Sequence, residues 1–109
     1  MPNLKVNLGG EGEVPGAINV QGKWVLDADW LSSAAGQSLS ELLAAGNQFV
    51  IAANTALPFA DGSVDAAFTN NVPVDINTWL GPGVQTNEIL RILAEGGIWI
   101  NNGVVVPTP

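Results

Sequence analysis

Short apolar runs recur along this chain, separated by turn-forming residues and by helical segments. Runs of this length and composition are typical of β-strands. The sequence predicts strands at 4–8, 17–21, 49–53, 64–69, 98–100 and 104–106. In the second half strands and helices alternate, which favours an α/β fold with a mainly parallel sheet. With 109 residues, 47% of them apolar, we expect a single domain over 1–109.

The first predicted helix carries a capping box, in which Ser38 is the N-cap and Glu41 reaches back to it. An apolar stripe follows at helical spacing, made of Leu39, Leu42 and Leu43. Gly46 stands where a helix commonly ends. The next run, 49–53, is uninterrupted by polar residues, which predicts a strand buried on both faces.

The second predicted helix begins at Thr86 and is closed by Gly96-Gly97. Its apolar stripe is made of Ile89, Leu90 and Leu93. Arg91 is expected on the helix surface, paired with Glu88 or Glu95. Upstream, Asp61-Gly62-Ser63 is interpreted as a turn that Asp65 caps or pins, and 70–83 as a long polar loop.

Charge and residue types exclude several classes of function. The chain has ten acidic residues and only three cations, for a net charge of -7. A phosphate-binding surface for nucleic acid is therefore not expected. An acidic membrane surface is no better a partner, and no apolar run approaches the length of a membrane span. The chain has no Cys and no His. This removes thiolate nucleophiles, Ser-His-Asp arrangements and the usual zinc ligands, and we expect no metal site.

The first strand runs directly into Gly9-Gly10-Glu11-Gly12, a glycine turn that lets a ligand approach the backbone closely. Only a handful of residues separate it from the second strand, too few for the helix that normally joins parallel neighbours. Glu11 and Glu13 are interpreted as solvated loop acids, with a paired-carboxylate or cation site as the alternative.

Three stretches together resemble one family. They are V-N-L-G-G-E-G-E-V-P-G-A-I-N-V at 6–20, L-P-F-A-D-G-S-V-D-A-A-F-T-N at 57–70 and E-I-L-R-I-L-A-E-G-G-I at 88–98. Their order and spacing resemble the class I S-adenosylmethionine-dependent methyltransferases, over roughly residues 4–101. The resemblance implies a minimal Rossmann-like fold with an open, mainly parallel sheet whose usual last strands are absent or shortened.

The resemblance also implies where S-adenosylmethionine binds. Gly9, Gly10 and Gly12 would cradle the cofactor, and Gln21 would hold the ribose. Asn54 would accept from the adenine amino group, while the backbone of Ala56 and Leu57 meets the adenine ring. An exchange of Gly10 for Val is expected to abolish cofactor binding while leaving the fold nearly intact.

Gln21 and Asn54 stand where the family usually has acids. Amide oxygens still accept hydrogen bonds, but a neutral acceptor binds more weakly than a carboxylate, by about 1–3 kcal/mol for the two positions together. The methyl acceptor would lie beside Asn70, Asn71 and Asp75, the residues expected to take part in transfer. The acceptor's identity is not specified by the sequence.

The alternative is a degenerate methyltransferase fold that binds protein. The stretches 7–16 and 99–103 are similar to the carboxy-terminal tails of some Rhs-repeat polymorphic toxins. That resemblance implies an immunity-type partner and delivery as the tail of a larger secreted protein, instead of a cytoplasmic enzyme. The last strand, 104–106, could instead leave an open sheet edge for self-association.

The four tryptophans are interpreted mainly as packing anchors. They are Trp24, Trp30, Trp79 and Trp99. Trp79 lies on the long polar loop and is therefore the one expected to touch a ligand.

Overall fold

The computed structural model describes residues 4–33, 36–53, 56–70 and 86–107. The strands are β1 (Lys5–Leu8), β2 (Ile18–Gln21), β3 (Gln48–Ile51), β4 (Val64–Thr69), β5 (Leu93–Asn101) and β6 (Val104–Val106). The helices are α1 (Leu39–Ala44) and α2 (Thr86–Ile92), and a single 3-10 turn spans Lys23–Leu26. Within the described part of the chain, no helix is long and apolar enough to cross a membrane.

The six strands form one sheet in the order β3-β2-β1-β4-β5-β6. Every neighbouring pair is parallel except β5 and β6, which are antiparallel. The α/β, mainly parallel, Rossmann-like fold predicted from the sequence is therefore confirmed. The chain moves outward from β1 to β2 and β3, then returns to the other side of β1 at β4. Ligands in open sheets of this kind bind beyond the carboxyl ends of the strands, next to such a reversal.

Parallel strands β1 and β2 are joined by residues 9–17 without a helix. Such a connection normally needs a dozen or more residues. The loop closes tightly because the Gly9 N–H donates to the Val20 carbonyl at 2.7 Å, and it stays against the strands that it joins. The absence of a helix at this position, expected from the sequence, is confirmed.

The main core lies on one face of the sheet, beneath α2. Ile89 and Ile92 of this helix are fully buried, and each stabilises the fold by about 1.5–3 kcal/mol. They belong to a buried cluster with Val6, Leu8, Val20, Leu57, Val64, Ala67 and Trp99. Trp99 is 2% exposed, which confirms it as a packing anchor, whereas Trp24 is 54% exposed and does not fit that interpretation. Trp79 lies outside the described residues.

Helix α1 begins as the sequence predicts. The Ser38 side chain accepts from the Glu41 N–H at 3.2 Å, and the Glu41 carboxylate accepts from the Ser38 N–H at 3.1 Å. The helix ends at Ala44, and Gly46 follows with φ +95°, a conformation that glycine adopts freely. Of the predicted stripe, Leu42 is buried, whereas Leu43 is exposed.

The prediction that the third strand is buried on both faces was wrong. Strand β3 lies at the sheet edge and pairs only with β2 within the described residues; Ile51 is exposed. An apolar run specifies the strand but not its neighbours, and the edge position follows from the order of the strands.

The predicted end of the second helix was also wrong. Helix α2 stops at Ile92, and Leu93 already pairs with Val64 in the sheet. The pairing resumes between Ile98 and Ala66, with an irregularity between the two pairs. Gly96-Gly97 therefore lies inside β5 and forms part of this bulge, because pairing with β4 overrides the helical spacing of the leucines.

Strand β6 is the other edge. A two-residue turn, Asn102-Gly103, reverses the chain with positive φ at both positions. Val104 and Val105 are exposed, and no described strand pairs with the outer side of β6. Self-association through this edge stays a prediction.

Candidate functional site

A cluster of buried amides lies beneath the loop that joins β1 and β2. Asn7 and Asn19 are neighbours in the sheet and are almost completely buried. Asn19 Oδ1 accepts from the Gly12 N–H at 3.1 Å and from Asn7 Nδ2 at 3.4 Å. Asn19 Nδ2 donates to the Gln48 carbonyl at 3.0 Å, so this side chain ties the loop to the edge strand β3. The amide cluster thereby holds the glycine loop in place.

The amide cluster requires a glycine at position 10, whether or not a ligand binds. A Cβ at Gly10 would lie 2.3 Å from Asn19 Oδ1 and 2.6 Å from Asn7 Cγ, far inside van der Waals contact. A valine at Gly10 would therefore clash with this cluster, which the expectation of a nearly intact fold did not take into account. The physical reason is that the glycine accommodates the protein's own buried amides.

Gln21 ends β2 and is buried beside the same loop. Its Nε2 donates to the Gly10 carbonyl at 3.0 Å. The side-chain nitrogen is thus held by the glycine loop, and Oε1 is the acceptor that could serve a ligand hydroxyl. The ribose contact expected of Gln21 stays a prediction.

Glu11 and Glu13 serve as tethers instead of facing one another as a pair. The Glu13 carboxylate accepts from Asn7 Nδ2 and, at 3.0 Å, from the Glu11 N–H. The Glu11 carboxylate accepts from the Ser33 N–H at 3.0 Å and from Ser33 Oγ at 3.3 Å. Among the described residues, no three His, Cys, Asp or Glu side chains come close enough to hold a metal ion.

Asn7 is a site residue that the sequence reasoning missed. Its Oδ1 is buried and has no hydrogen-bond partner among the described residues. Leaving such an acceptor unpaired costs about 1–3 kcal/mol, so an incoming N–H or O–H donor here would gain a strong preference. The polar positions of an alternating strand are normally assigned to solvent, and so the sequence pattern carries no signal that Asn7 is buried.

A cavity of about 300 Å³ lies beyond the carboxyl ends of β2 and β3. Its lining residues follow or end those two strands and are Gly22, Lys23, Trp24, Ile51, Ala52 and Ala53. The six-membered ring of Trp24 lies directly against Gly22, since a Cβ there would fall 1.9 Å from Cζ3. Glycine at this position therefore lets the ring lie against the backbone at the cavity wall.

Leu57, expected to meet an adenine ring, already uses its backbone groups inside the protein. Its N–H donates to Glu88 Oε1 at 2.8 Å, and its carbonyl accepts from Arg91 Nη2 at 2.8 Å. Ala56 is exposed and forms an isolated antiparallel bridge with Ala53. Asn54, the expected adenine acceptor, lies outside the described residues.

Arg91 fastens the segment 57–61 to α2. Its Nε donates to Glu88 Oε2 at 2.8 Å, while Nη1 donates to the Phe59 carbonyl and to Asp61 Oδ1, both at 2.8 Å. The predicted pairing of Arg91 with Glu88 is confirmed. The contact with Asp61, 30 residues earlier, is created by tertiary structure and was not predicted.

Because of these contacts, the free energy of unfolding depends on pH through Glu88. The hydrogen bond from Arg91, followed by that from the Leu57 N–H, lowers the pKa of Glu88. The stabilisation is therefore complete above the ordinary pKa of Glu88 and is lost as the pH falls through its lowered value. The pKa of Arg91 is raised, first by Glu88 and then by Asp61, so the guanidinium stays charged throughout.

We expect Glu88→Gln to lower the urea midpoint at pH 7 and to reduce its decline between pH 7 and pH 3. Both follow because the substitution removes the carboxylate that Arg91 stabilises. Glu95→Gln is the control, since Glu95 is exposed and takes no part in the Arg91 contacts described above. Equal pH dependence in the two variants and the parent would contradict this assignment.

Near the carboxyl ends of β4 and β5, polar side chains hydrogen-bond to one another. Trp99 Nε1 donates to Thr69 Oγ1 at 2.8 Å, and this hydroxyl donates to Asn101 Oδ1 at 2.9 Å. Asn70 follows directly and is half-buried. Asn71 and Asp75 lie outside the described residues, so their expected roles stay predictions.

The known proteins that this chain matches share one description. The chain is 44% identical over 53 residues to proteins described as "Uncharacterized methyltransferase" from Mycobacterium sp. strains KMS and MCS, and 43% identical over 54 residues to one from strain JLS. These alignments cover about half of this chain, and the chain spans about a fifth of the length of those relatives. No family model and no solved structure matches it significantly. Over about half of its length, this chain is therefore similar to proteins described as methyltransferases.

Proposed function

We propose that this domain binds S-adenosylmethionine at the carboxyl edge of its sheet, as a methyltransferase-like domain. The observation that carries the proposal is the cavity of about 300 Å³ beyond β2 and β3. Its size is at the lower end for small-molecule sites, enough for part of a cofactor such as the adenine base. Gln21 does not itself line this cavity, but it precedes the lining residue Gly22 and donates to the Gly10 carbonyl of the glycine loop.

The residues present fit such a ligand. The apolar cavity wall, with the Trp24 ring, suits a flat base. Gln21 Oε1 would accept from a ribose hydroxyl, and the unpaired Asn7 Oδ1 offers an acceptor beneath the glycine loop. Asn54 would contact the adenine amino group.

When bound, the sulfonium supplies an already activated methyl group, so the protein contributes mainly alignment. Asn70, Asn71 and Asp75 would orient the methyl acceptor, since amide and carboxylate oxygens can hold a hydroxyl or amine by its hydrogen. A general base such as His is not required for this role. The chain spans only a fifth of the length of the relatives that it resembles. The site for the methyl acceptor is therefore proposed here and is not inferred from those relatives.

Calorimetric titration with S-adenosylmethionine and S-adenosylhomocysteine tests the proposal. We expect a Kd near or below micromolar, a binding free energy of about -8 kcal/mol. Trp24→Ala should weaken binding because it removes the aromatic wall. Leu26→Ala should not, since Leu26 belongs to the same 3-10 turn but does not line the cavity. No heat at millimolar ligand, from protein shown to be folded, would contradict the proposal.

The resemblance to Rhs-repeat toxin tails, with its immunity-type partner and secreted location, stays a prediction. The mycobacterial relatives are described as methyltransferases, which supports the cofactor-binding proposal over this alternative.

A further inference from the structure

The cations of this acidic protein are distributed unequally. The chain has three, Lys5, Lys23 and Arg91. Arg91 is fully engaged with Glu88, Asp61 and backbone carbonyls. Lys23 is exposed at the cavity and forms no ion pair with any residue that the structure describes. Lys23 is therefore a lining residue of the cavity, and its ammonium group has no ion-pair partner among the described residues.

Apart from Lys23, the residues that line the cavity are uncharged and mostly apolar. No acid is among its lining residues, although the protein carries ten. Trp24 and Ile51 provide apolar surface at its opening, and both are exposed. Apolar walls with a single cation suit a flat aromatic ligand that carries negative charge.

The residues at the end of β2 indicate which part of such a ligand carries the negative charge. In dinucleotide-binding Rossmann folds, a carboxylate downstream of the glycine loop holds a free ribose hydroxyl, whereas a nearby Arg accommodates a phosphate on the ribose. Here the strand ends in the neutral Gln21, and Lys23 follows two residues later. A carboxylate at Gln21 would repel a phosphate, but an amide does not.

We propose that this cavity takes an adenine nucleotide phosphorylated on a ribose hydroxyl, with the Lys23 ammonium group pairing with the phosphate. The inference rests on the proposed function in one respect, that the cavity receives the adenosine part of a ligand. It departs from the proposed function in specifying an anionic ligand, which S-adenosylmethionine is not, and it assigns a role to Lys23. Gln21 then contributes neutrality and an acceptor for the remaining hydroxyl.

The test is calorimetric titration of the 109-residue protein with adenosine, 2′-AMP, 3′-AMP, 5′-AMP and inorganic phosphate. We expect 2′-AMP or 3′-AMP to bind about tenfold more tightly than adenosine, as one charge-assisted hydrogen bond provides. Lys23→Gln should abolish this gain, Lys23→Arg should preserve it, and Gln21→Glu should reverse it. Added salt should reduce the gain in the parent protein.

Lys5→Gln is the matched control, because it changes the net charge equally and does not line the cavity. Equal affinity for adenosine and its 2′- and 3′-phosphates would overturn the inference. So would an equal loss in Lys5→Gln and Lys23→Gln, or a preference for 5′-AMP alone. Circular dichroism of each variant verifies that it is folded.

The two proposals can fail separately. If S-adenosylmethionine binds and the ribose phosphates show no gain over adenosine, the proposed function stands and the assignment of Lys23 is overturned. If the ribose phosphates bind in a manner that depends on Lys23 and S-adenosylmethionine does not bind, the nucleotide inference stands without the proposed function.

Discussion

Trp99→Ala is expected to destabilise the domain by about 3–5 kcal/mol, the usual cost of removing a large buried aromatic side chain. Trp99 is 2% exposed and packs in the cluster between α2 and the sheet. The substitution would leave a cavity and remove the hydrogen bond from Nε1 to Thr69 Oγ1. Since a domain of this size is typically stable by about 5–15 kcal/mol, the variant would lose a large fraction of the free energy of unfolding.

Urea denaturation followed by far-UV circular dichroism measures this effect. Trp24→Ala is the control, because the same change at a 54% exposed side chain should cost under about 1 kcal/mol. Trp99→Phe should lie between the two, since it keeps much of the packing and loses the N–H donor. Equal midpoints for Trp99→Ala and Trp24→Ala would refute the assignment of Trp99 to the core.

Gly10→Val is expected to cost about 2–4 kcal/mol, through overpacking and disturbed hydrogen bonds. Gly10 does not have a positive φ, so the penalty arises from contact and not from backbone strain. The added Cβ would clash with the side chains of Asn19 and Asn7, which are almost completely buried.

A double-mutant cycle with Asn19→Ala tests this explanation. Removing Oδ1, which lies 2.3 Å from the added Cβ, should reduce the cost of Gly10→Val by at least about 1 kcal/mol. Urea midpoints of the parent, both single variants and the double variant provide the measurement. Strict additivity would contradict a direct clash between the two positions.

The predicted strands correspond to observed ones because their signals are local. Alternating or continuous apolar residues bounded by glycine and proline specify a strand wherever it pairs. The capping box of Ser38 and Glu41 is local as well, since its partners are three residues apart. Boundaries were less predictable: Leu93 fits a helical stripe, but pairing with Val64 places it in β5.

The candidate site was predictable only in part. The positions of the glycine loop and of Gln21 follow from the ends of β1 and β2, which the sequence marks. The cavity was not predictable, because it joins Trp24 to Ile51 across two strand ends. The Arg91–Asp61 contact was missed for the same reason, since no periodicity relates positions 30 residues apart.

The sequence by itself determined the number of strands and their positions along the chain, the start of α1, the short connection after β1 and the absence of His and Cys chemistry. These depend on residue type and short-range spacing. Tertiary structure alone decided that β3 is an edge strand, that Asn7 and Asn19 are buried beneath the glycine loop, and that Lys23 lines a cavity. The physical reason is that burial and contact across the sheet depend on which strands become neighbours, and strand order is a property of the whole chain.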